Sequence, residues 1–371
     1  MPMVAIAALM MITAASCGRV LDGDRDESGA TSDTTEEGRQ TPAASDPSTT
    51  DDPAGSGGTG TGDEDKDQSS NEAPGPAVTP CPDLSSVELA TAAGNNLTET
   101  SGLVASQRHP GVLWATNDSG TAASVVAVDL DGVDLGRHLL PIDVDHDIED
   151  LALVDGVLYL ADIGDNNEVR DEITIYRFAE PDPFDAAGIQ SVDVLSFRYP
   201  DGPRDAEAFL VDPDTGQFII IEKAFGVGVL GSGGLLAPSA ATVYVADGPF
   251  GPMNDLRPNG TVALDALAPL ATAPPPPGTA GALGVSGVAT GADIRADGAL
   301  IALRTYATVW LFDRSSGQTV AEALTTSPCE APTRPEDQGE AVAFLDDTSR
   351  HFVTIGEGAN PAINLTAAPA G

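Results

Sequence analysis

The sequence predicts an all-β fold, a β-propeller of five four-stranded blades, from three observations. From residue 81 onward, short apolar runs rich in β-branched and aromatic residues alternate with Gly, Pro and Asp turns, without a helical stripe between them. A short motif recurs along this region. Each copy is followed by further strand-like runs, which gives the unit of four strands in about 45–50 residues that is typical of propeller blades.

The recurring motif is a polar or small lead-in followed by alternating apolar residues. We align its copies as ETSGLVAS, DIEDLALV, DAEAFLV, TGADIRA and QGEAVAF, anchored at Ser101, Glu149, Glu207, Ala292 and Glu340. The fourth strands of the first four units are expected at residues 137–144, 192–199, 261–268 and 319–326. The third unit is lengthened by two Gly/Pro-rich segments, which are expected to be surface loops. Six blades is the alternative if this unit contains another blade.

The fifth unit has three strands of its own. Residues 86–94, SVELATAAG, are expected to supply the fourth and so to close the ring, which removes exposed sheet edges. Cys81 precedes this strand, and Cys329 lies in the expected loop into the fifth unit. Two distant cysteines in an exported chain most simply form a disulfide, which would pin the closure. Free thiols or a metal pair are the alternatives.

The first 80 residues differ in character from the rest. Residues 1–16 are apolar and too short to span a bilayer, and the Ala15-Ser16-Cys17 sequence is like a bacterial lipobox, so we predict a signal peptide and lipidation of Cys17. Residues 17–80 are rich in Asp, Glu, Ser, Thr, Gly and Pro, which indicates a disordered acidic tether. We expect an exported monomer at the cell surface, held to the membrane only by its lipid anchor, with the propeller at residues 81–371. A secreted protein is the alternative.

The net charge of −40 argues against a nucleic-acid partner, since phosphate-rich polymers would be repelled. It suits a protein that attracts cations. Lys66 and Lys223 are the two lysines of the chain, so a lysine in the folded region is unusual.

The acidic anchors point to a metal site. The inner strand of each propeller blade lines the central channel, so the anchors should converge at the channel mouth, with Glu99, Asp147 and Asp205 nearby. Neighbouring glutamates repel one another unless a cation or protons neutralise them. We therefore predict that a divalent cation, Ca²⁺ in the first place, is bound by four carboxylates: Glu149, Glu207, Glu340 and Asp293. The alternative is that each acid caps a turn or binds backbone N–H groups.

The ends of the second strands open at the same face and supply candidates for ligand binding: Asn117, Asp118, Asn166, Tyr306 and Glu357. Lys223 and Arg304 would hold an anionic small molecule, and Asp165 or His146 would transfer protons if the protein is an enzyme. Ion pairing within the mouth is the alternative for the two cations. An incidental position is the alternative for His146.

With the units aligned, the chain resembles a group of bacterial exported propeller proteins. The resemblance rests on segments such as HPGVLWATNDSG, EDLA, LYLADIGDN, RYPDGPRDAEA and QGEA, and it covers most of residues 97–358. This group is similar to phytase-like and gluconolactonase-like propellers. Those bind Ca²⁺ or another divalent ion through acids at the channel mouth and hydrolyse esters or lactones. The resemblance thus implies a propeller with a cation site, and fold-level analogy by itself assigns no residue a catalytic role.

Two functions follow from these features. The first is a binding or scaffold protein that holds a divalent cation and a small ligand or cell-envelope component at the acidic mouth. The alternative is a metal-dependent hydrolase of phosphate or carboxylic esters. The enzyme requires both Lys223 and Arg304 to reach the mouth, and the binding protein does not.

Overall fold

The protein is described by a computed structural model that covers residues 79–94, 96–118, 122–142, 147–185, 188–228, 235–264, 267, 287–336 and 338–369. Most of the secondary structure in these residues is β-strand, and there is one short α-helix among them. The predicted signal peptide, Cys17, nearly all of the predicted tether, and His146 lie outside the described residues. No helix in the described part of the chain is long and apolar enough to cross a membrane.

The first two strands belong to blades that the chain completes much later. Strand β1 covers Thr79–Pro80 and β2 covers Ser85–Thr91. The first blade follows directly and is an antiparallel sheet in simple sequence order. Its strands are β3 (Thr100–Ala105), β4 (Val112–Asn117), β5 (Ser124–Asp129) and β6 (Asp134–Leu139).

The second blade repeats this pattern. Its strands are β7 (Ile148–Val154), β8 (Val157–Asp162), β9 (Ile173–Ala179) and β10 (Asp193–Arg198). The third blade is interrupted by a hairpin, β13 (Phe225–Gly228) with β14 (Leu235–Pro238). Its sheet consists of β11 (Ala206–Val211), β12 (Phe218–Glu222), β15 (Ala241–Ala246) and β17 (Arg257–Val262). A short strand, β16 (Met253–Asp255), leaves this blade and pairs parallel with β10.

The fourth blade contains the helix, α1 (Val320–Leu324). Its sheet consists of β18 (Ala289–Ile294), β19 (Leu300–Thr305), β20 (Val309–Asp313) and β21 (Cys329–Ala331). Strand β1 adds to this sheet, parallel to β21. The fifth blade consists of β22 (Gly339–Phe344), β23 (Phe352–Gly356) and β24 (Ala362–Ala367), with β2 antiparallel to β24 at its outer edge.

The hydrophobic core is divided into layers that lie between neighbouring blades. Each of the five buried clusters joins two consecutive blades, and one of them joins the fifth blade to the first. Neighbouring residues of an inner strand face opposite layers: Leu103 packs towards the fifth blade and Val104 towards the second. This alternation follows from the two-residue period of a strand. The layers close the ring, and the predicted five-bladed propeller is confirmed.

The predicted closure is also confirmed, because β2 is the fourth strand of the last blade. Cys81 and Cys329 form the predicted disulfide, with their Cα atoms 4.9 Å apart. Cys329 is part of β21, so its predicted place in a loop was wrong. The bond joins the segment between β1 and β2 to the outer part of the fourth blade.

The prediction of a strand at residues 319–326 was wrong, since this segment contains α1. Thr319 caps the helix: its side chain accepts from the Glu322 backbone N–H at 3.2 Å, and the Glu322 carboxylate accepts from the Thr319 N–H at 2.9 Å. This reciprocal capping box, followed by Ala and Leu, stabilises a helical turn. Strand β17 also begins earlier than the expected 261–268. The first Gly/Pro-rich segment contains the β13–β14 hairpin rather than only loop.

Candidate functional site

A β-bulge near the start of every inner strand builds the channel mouth. The pairing of each inner strand with its neighbour shifts by one residue at the same place in all five blades. The skipped residues are Ser101, Glu149, Glu207, Thr290 and Glu340. Bulges bend a strand and re-aim a side chain. The fourth anchor is therefore Thr290, and the predicted anchor Ala292 was two residues off.

The two non-acidic anchors link neighbouring blades. The Ser101 hydroxyl donates to the Ile148 carbonyl at 2.7 Å, and the Thr290 hydroxyl donates to the Gly339 carbonyl at 2.9 Å. The other three anchors are glutamates, and all three are buried. The structure brings Glu149, Glu207 and Glu340 together: Glu207 raises the pKa values of Glu149 and Glu340, and Glu340 raises the pKa of Glu149.

Lys223 reaches into this group. It follows β12, its backbone N–H donates to the Asp205 carbonyl at 2.9 Å, and its ammonium group forms an ion pair with Glu207 Oε1. Both side chains of the pair are under 10 % exposed, at 9 % for Lys223 and 7 % for Glu207. The ammonium also lies 5.5 Å from the ring centroid of Tyr306, within cation–π range.

Lys223 and Arg304 occupy different positions in their blades. Lys223 comes one residue after Glu222, which pairs with the start of β11. The equivalent positions in three other blades are held by Asp118, Tyr306 and Glu357. Arg304 lies two residues before Tyr306, inside β19, where it pairs with Gly291 and is equivalent to Ile221 rather than to Lys223. The sequence analysis places both cations at the mouth and does not distinguish these two positions.

Arg304 is accordingly 1 % exposed and packs against the fifth blade. Its Nη2 donates to Glu336 Oε2 at 2.7 Å, and its guanidinium lies directly against Gly339. Glu336 Oε1 in turn accepts from Thr354 at 2.5 Å and from Asn364 at 2.8 Å. This arrangement ties the fourth blade to the fifth. The structure does not bring Arg304 to the three glutamates.

Gln338 connects Glu340 to the outer rim of the mouth. Its side-chain amide donates to Glu340 Oε1 at 2.8 Å and to Glu357 Oε1 at 2.6 Å. Asp118 is near enough to raise the pKa of Glu357 and of Asp147. The predicted ligand-binding residues Asp118, Tyr306 and Glu357 therefore all lie around the three glutamates.

Gly164 lets the chain pass beside the acids of the second blade. A Cβ atom at this position would lie 2.6 Å from Asp147 Oδ2 and would also overlap the Glu149 carboxylate. A side chain at this position would have to push both carboxylates aside. The residue belongs to the ADIGDN segment, whose acids attracted attention in the sequence while its glycine did not.

Burial and mutual repulsion dominate the electrostatics of the mouth. Burial, followed by repulsion from Glu207, raises the pKa values of Glu149 and Glu340 well above the usual range for a glutamate. Burial raises the pKa of Glu207 to about 7, although Lys223 opposes this shift. Burial would lower the pKa of Lys223, but Glu207 and the other acids outweigh it and raise that pKa. The ammonium therefore stays charged.

The other predicted residues lie apart from the three glutamates or serve the local backbone. Asn117 Oδ1 accepts from the N–H groups of Thr98 and Glu99, both at 3.1 Å. Asp165 Oδ2 accepts from the Arg170 N–H at 2.7 Å, and Asn166 is exposed in the following turn. These contacts match the turn-capping alternative.

Asp293 also binds backbone, because it accepts from the N–H groups of Ile294 at 2.8 Å and Phe344 at 2.7 Å. Its electrostatic neighbour Asp150 was missed by the sequence reasoning. Asp150 accepts from three N–H groups, on Leu151 at 2.8 Å, Phe209 at 2.9 Å and Ala292 at 3.0 Å. These two carboxylates tie together the inner strands of the second to fifth blades.

The donor set of the mouth fits a hard cation. Glu207 Oε2 is buried and has no hydrogen-bond partner among the described residues. A buried carboxylate oxygen without a donor is costly unless a cation or a proton satisfies it. With the side chains as they stand, no group of three or more His, Cys, Asp or Glu in the described ranges is arranged as a metal site. Glu149, Glu207 and Glu340 are the residues that would hold the ion.

No protein-family model and no curated protein matches the chain. Three solved structures illustrate its likeness to known folds. A PQQ-bound aldose sugar dehydrogenase from Streptomyces coelicolor is 11 % identical over 78 % of this chain and 99 % of its own, with a TM-score of 0.41. A calcium structure of a family AA12 carbohydrate-active enzyme from Trichoderma reesei is 12 % identical over 80 % and 98 %, with a TM-score of 0.44. A protein of unknown function from Bacteroides thetaiotaomicron is 11 % identical over 76 % of each chain, with a TM-score of 0.37.

Proposed function

We propose that the channel mouth binds a divalent cation, Ca²⁺ in the first place, and that a small ligand binds at the rim beside it. The observation that carries the proposal is the buried Glu207 Oε2, which has no partner among the described residues although it lies beside two further glutamates. One ammonium group cannot neutralise three ionised carboxylates, and the raised pKa values of all three show that without a cation they tend to hold protons instead. A divalent ion supplies the missing charge, and oxygen ligands are those that Ca²⁺ prefers.

The rim offers polar groups for the small ligand. The side chains of Asp118, Glu357 and Tyr306 surround the three glutamates, and Gln338 connects the inner acids to the rim. Because most of these side chains are acidic, they would repel an anionic ligand. A ligand at this rim would therefore be neutral, or it would be bound through the cation. We propose a sugar-like or other polyhydroxyl group as the simplest such ligand, because hydroxyls both donate to carboxylates and coordinate Ca²⁺.

A binding role in the cell envelope agrees better with the geometry than hydrolysis does. The hydrolase needs Lys223 and Arg304 to hold an anionic ester, and Arg304 is paired with Glu336 between two blades. Export and anchoring through Cys17 remain proposals from the sequence. Partition of the full chain into the detergent phase, abolished by Cys17→Ala, would support them. Partition that persists in the variant would contradict them.

The proposed function is tested by thermal melting of the full chain with Ca²⁺, Mg²⁺ or Mn²⁺ at millimolar concentration. We expect the melting temperature to rise with Ca²⁺, since a ligand that binds only the folded state stabilises it. Sugars and ester substrates are then added to the Ca²⁺-loaded protein. A further rise without turnover supports the binding role, and metal-dependent turnover lost in Glu207→Gln would establish the hydrolase.

A further inference from the structure

Lys223 already occupies the centre of the site that the cation would take. Its ammonium forms an ion pair with Glu207, and it acts electrostatically on Glu149, Glu340 and Asp205. The sequence contains one other lysine, Lys66. Lys223 is therefore the one lysine among the described residues, and it lies among the buried acids of the channel mouth.

The lysine leaves the centre incompletely neutralised. Glu207 has two oxygens, of which Oε1 meets the ammonium and Oε2 meets no donor among the residues described. Glu340 receives one neutral amide donor from Gln338. A single positive charge can neutralise at most one of these carboxylates, and Glu207 Oε2 stays without a donor among the residues described.

Lys223 carries its ammonium group on a long side chain attached to a fixed backbone. Its backbone is fixed beside Asp205 just after β12, and its ammonium is carried on a flexible four-carbon stem. The aromatic ring of Tyr306, whose centroid is 5.5 Å from the ammonium, is itself only partly buried.

We propose that Lys223 is a tethered competitor for the cation site, which a divalent ion displaces and a monovalent ion does not. This inference rests on the proposed function. A tethered group competes at an effective concentration in the millimolar range or above, without loss of translational freedom. Na⁺ or K⁺ would replace the single charge of the ammonium by another single charge, so its binding would not improve the electrostatic energy of the site. Ca²⁺ brings a second charge, which the carboxylates left without a counter-charge would use.

The proposal predicts that Lys223→Gln changes the selectivity of the mouth. Without the ammonium, Ca²⁺ should bind at least about tenfold more tightly, because it no longer displaces a competitor. Added NaCl should then raise the melting temperature of the variant at constant ionic strength, with the chloride of a large organic cation as the reference. Lys66→Gln is the matched control, since it removes the other lysine and should leave both measurements at the wild-type values.

A second measurement does not depend on the folding of a variant. An amine-reactive acylating reagent labels exposed lysines, and peptide mass spectrometry distinguishes Lys223 from Lys66. We expect Lys223 to be protected in the wild type and to become labelled when Ca²⁺ is added, while Lys66 is labelled equally in both conditions.

The outcomes separate the two proposals. Equal Ca²⁺ affinity in wild type and Lys223→Gln, or a Lys223 that stays protected at saturating Ca²⁺, overturns the competitor role and leaves the cation site standing. If Lys223→Gln binds Ca²⁺ and the wild type does not, the competitor role is supported, and Lys223 then excludes the ion completely. Failure of both proteins to bind any divalent ion overturns both proposals.

Discussion

At the residue scale, Gly164 shows how the mouth depends on a position without a side chain. The backbone of this residue lies against the carboxylates of Asp147 and Glu149, where a Cβ atom has no room. These acids come from the start of β7, so the glycine fixes how the following loop passes over them. The sequence shows seven acids in residues 147–168. Gly164, which lies among them, allows the backbone to pass close to two of these acids.

We predict that Gly164→Ala destabilises the protein by about 1–3 kcal/mol, because the new methyl group overlaps the ends of two carboxylates, which have to move. The same shift should weaken the stabilisation by Ca²⁺. Chemical denaturation with and without Ca²⁺ measures both effects. Gly251→Ala is the control, since a Cβ there would meet its nearest neighbour at an ordinary 3.8 Å. Equal stability of the two variants would contradict the close approach.

The same scale shows the limit of prediction from sequence. Glu149, Glu207, Glu340 and Lys223 were placed at the mouth by alignment alone, and the structure brings them together. The contacts of Arg304 were not predictable in this way, because they depend on an ion-pair partner that lies outside the aligned units. Glu336, its partner, lies in a loop without a repeat pattern.

At the element scale, the inner-strand bulge is the recurring unit of the fold. Residues with short side chains follow the bulged residue in four blades: Gly102, Ala208, Gly291 and Ala341. This small residue was visible in the sequence and would have placed Thr290, not Ala292, at the fourth anchor. Strand β1 and helix α1 were not predictable from the repeat, since each occurs once. The helix had a local signal in its capping box.

The disulfide is the second element-scale feature with a measurable consequence. It fixes the segment between β1 and β2 to β21, and β2 completes the last blade. We predict that Cys81→Ser lowers the free energy of unfolding by about 2–5 kcal/mol, since the bond closes a long loop in the unfolded chain. Denaturation under non-reducing conditions measures this loss. Cys17→Ser is the control, and a Cys81→Ser protein as stable as the control would contradict the role of the bond in closure.

At the scale of the whole molecule, the buried acids predict how stability varies with pH. Burial raises the pKa of Asp147 to about 6 and the pKa values of Glu207, Asp293 and Glu357 to about 7. In the unfolded chain these groups titrate near pH 4. The folded state therefore binds more protons between these limits, and stability falls as pH rises through that window.

We predict that the melting temperature, measured in a chelator, falls by several degrees from pH 5 to pH 8 and changes little above that. Each unit of raised pKa is about 1.4 kcal/mol. Ca²⁺ should remove much of this dependence, because the ion replaces the protons that neutralise the mouth. A melting temperature that rises from pH 5 to pH 8 in the chelator would show that the buried acids are not neutralised as inferred.

The charge of the whole chain gives the mouth its context. With a net charge of −40, the protein repels anions and concentrates cations around itself. The propeller places three buried glutamates at equivalent bulges near the starts of three inner strands, at the channel mouth. A cation drawn to the surface would be most strongly bound there.

The most direct test of the cation site is a calorimetric titration of the full chain with Ca²⁺. We predict one site with a dissociation constant between about 10⁻⁶ and 10⁻³ M, weakened about tenfold or more in Glu207→Gln. Glu168→Gln, which removes an exposed acid of the same charge, should bind as the wild type does. No binding by the wild type, or undiminished binding by Glu207→Gln, would contradict a cation site at the channel mouth.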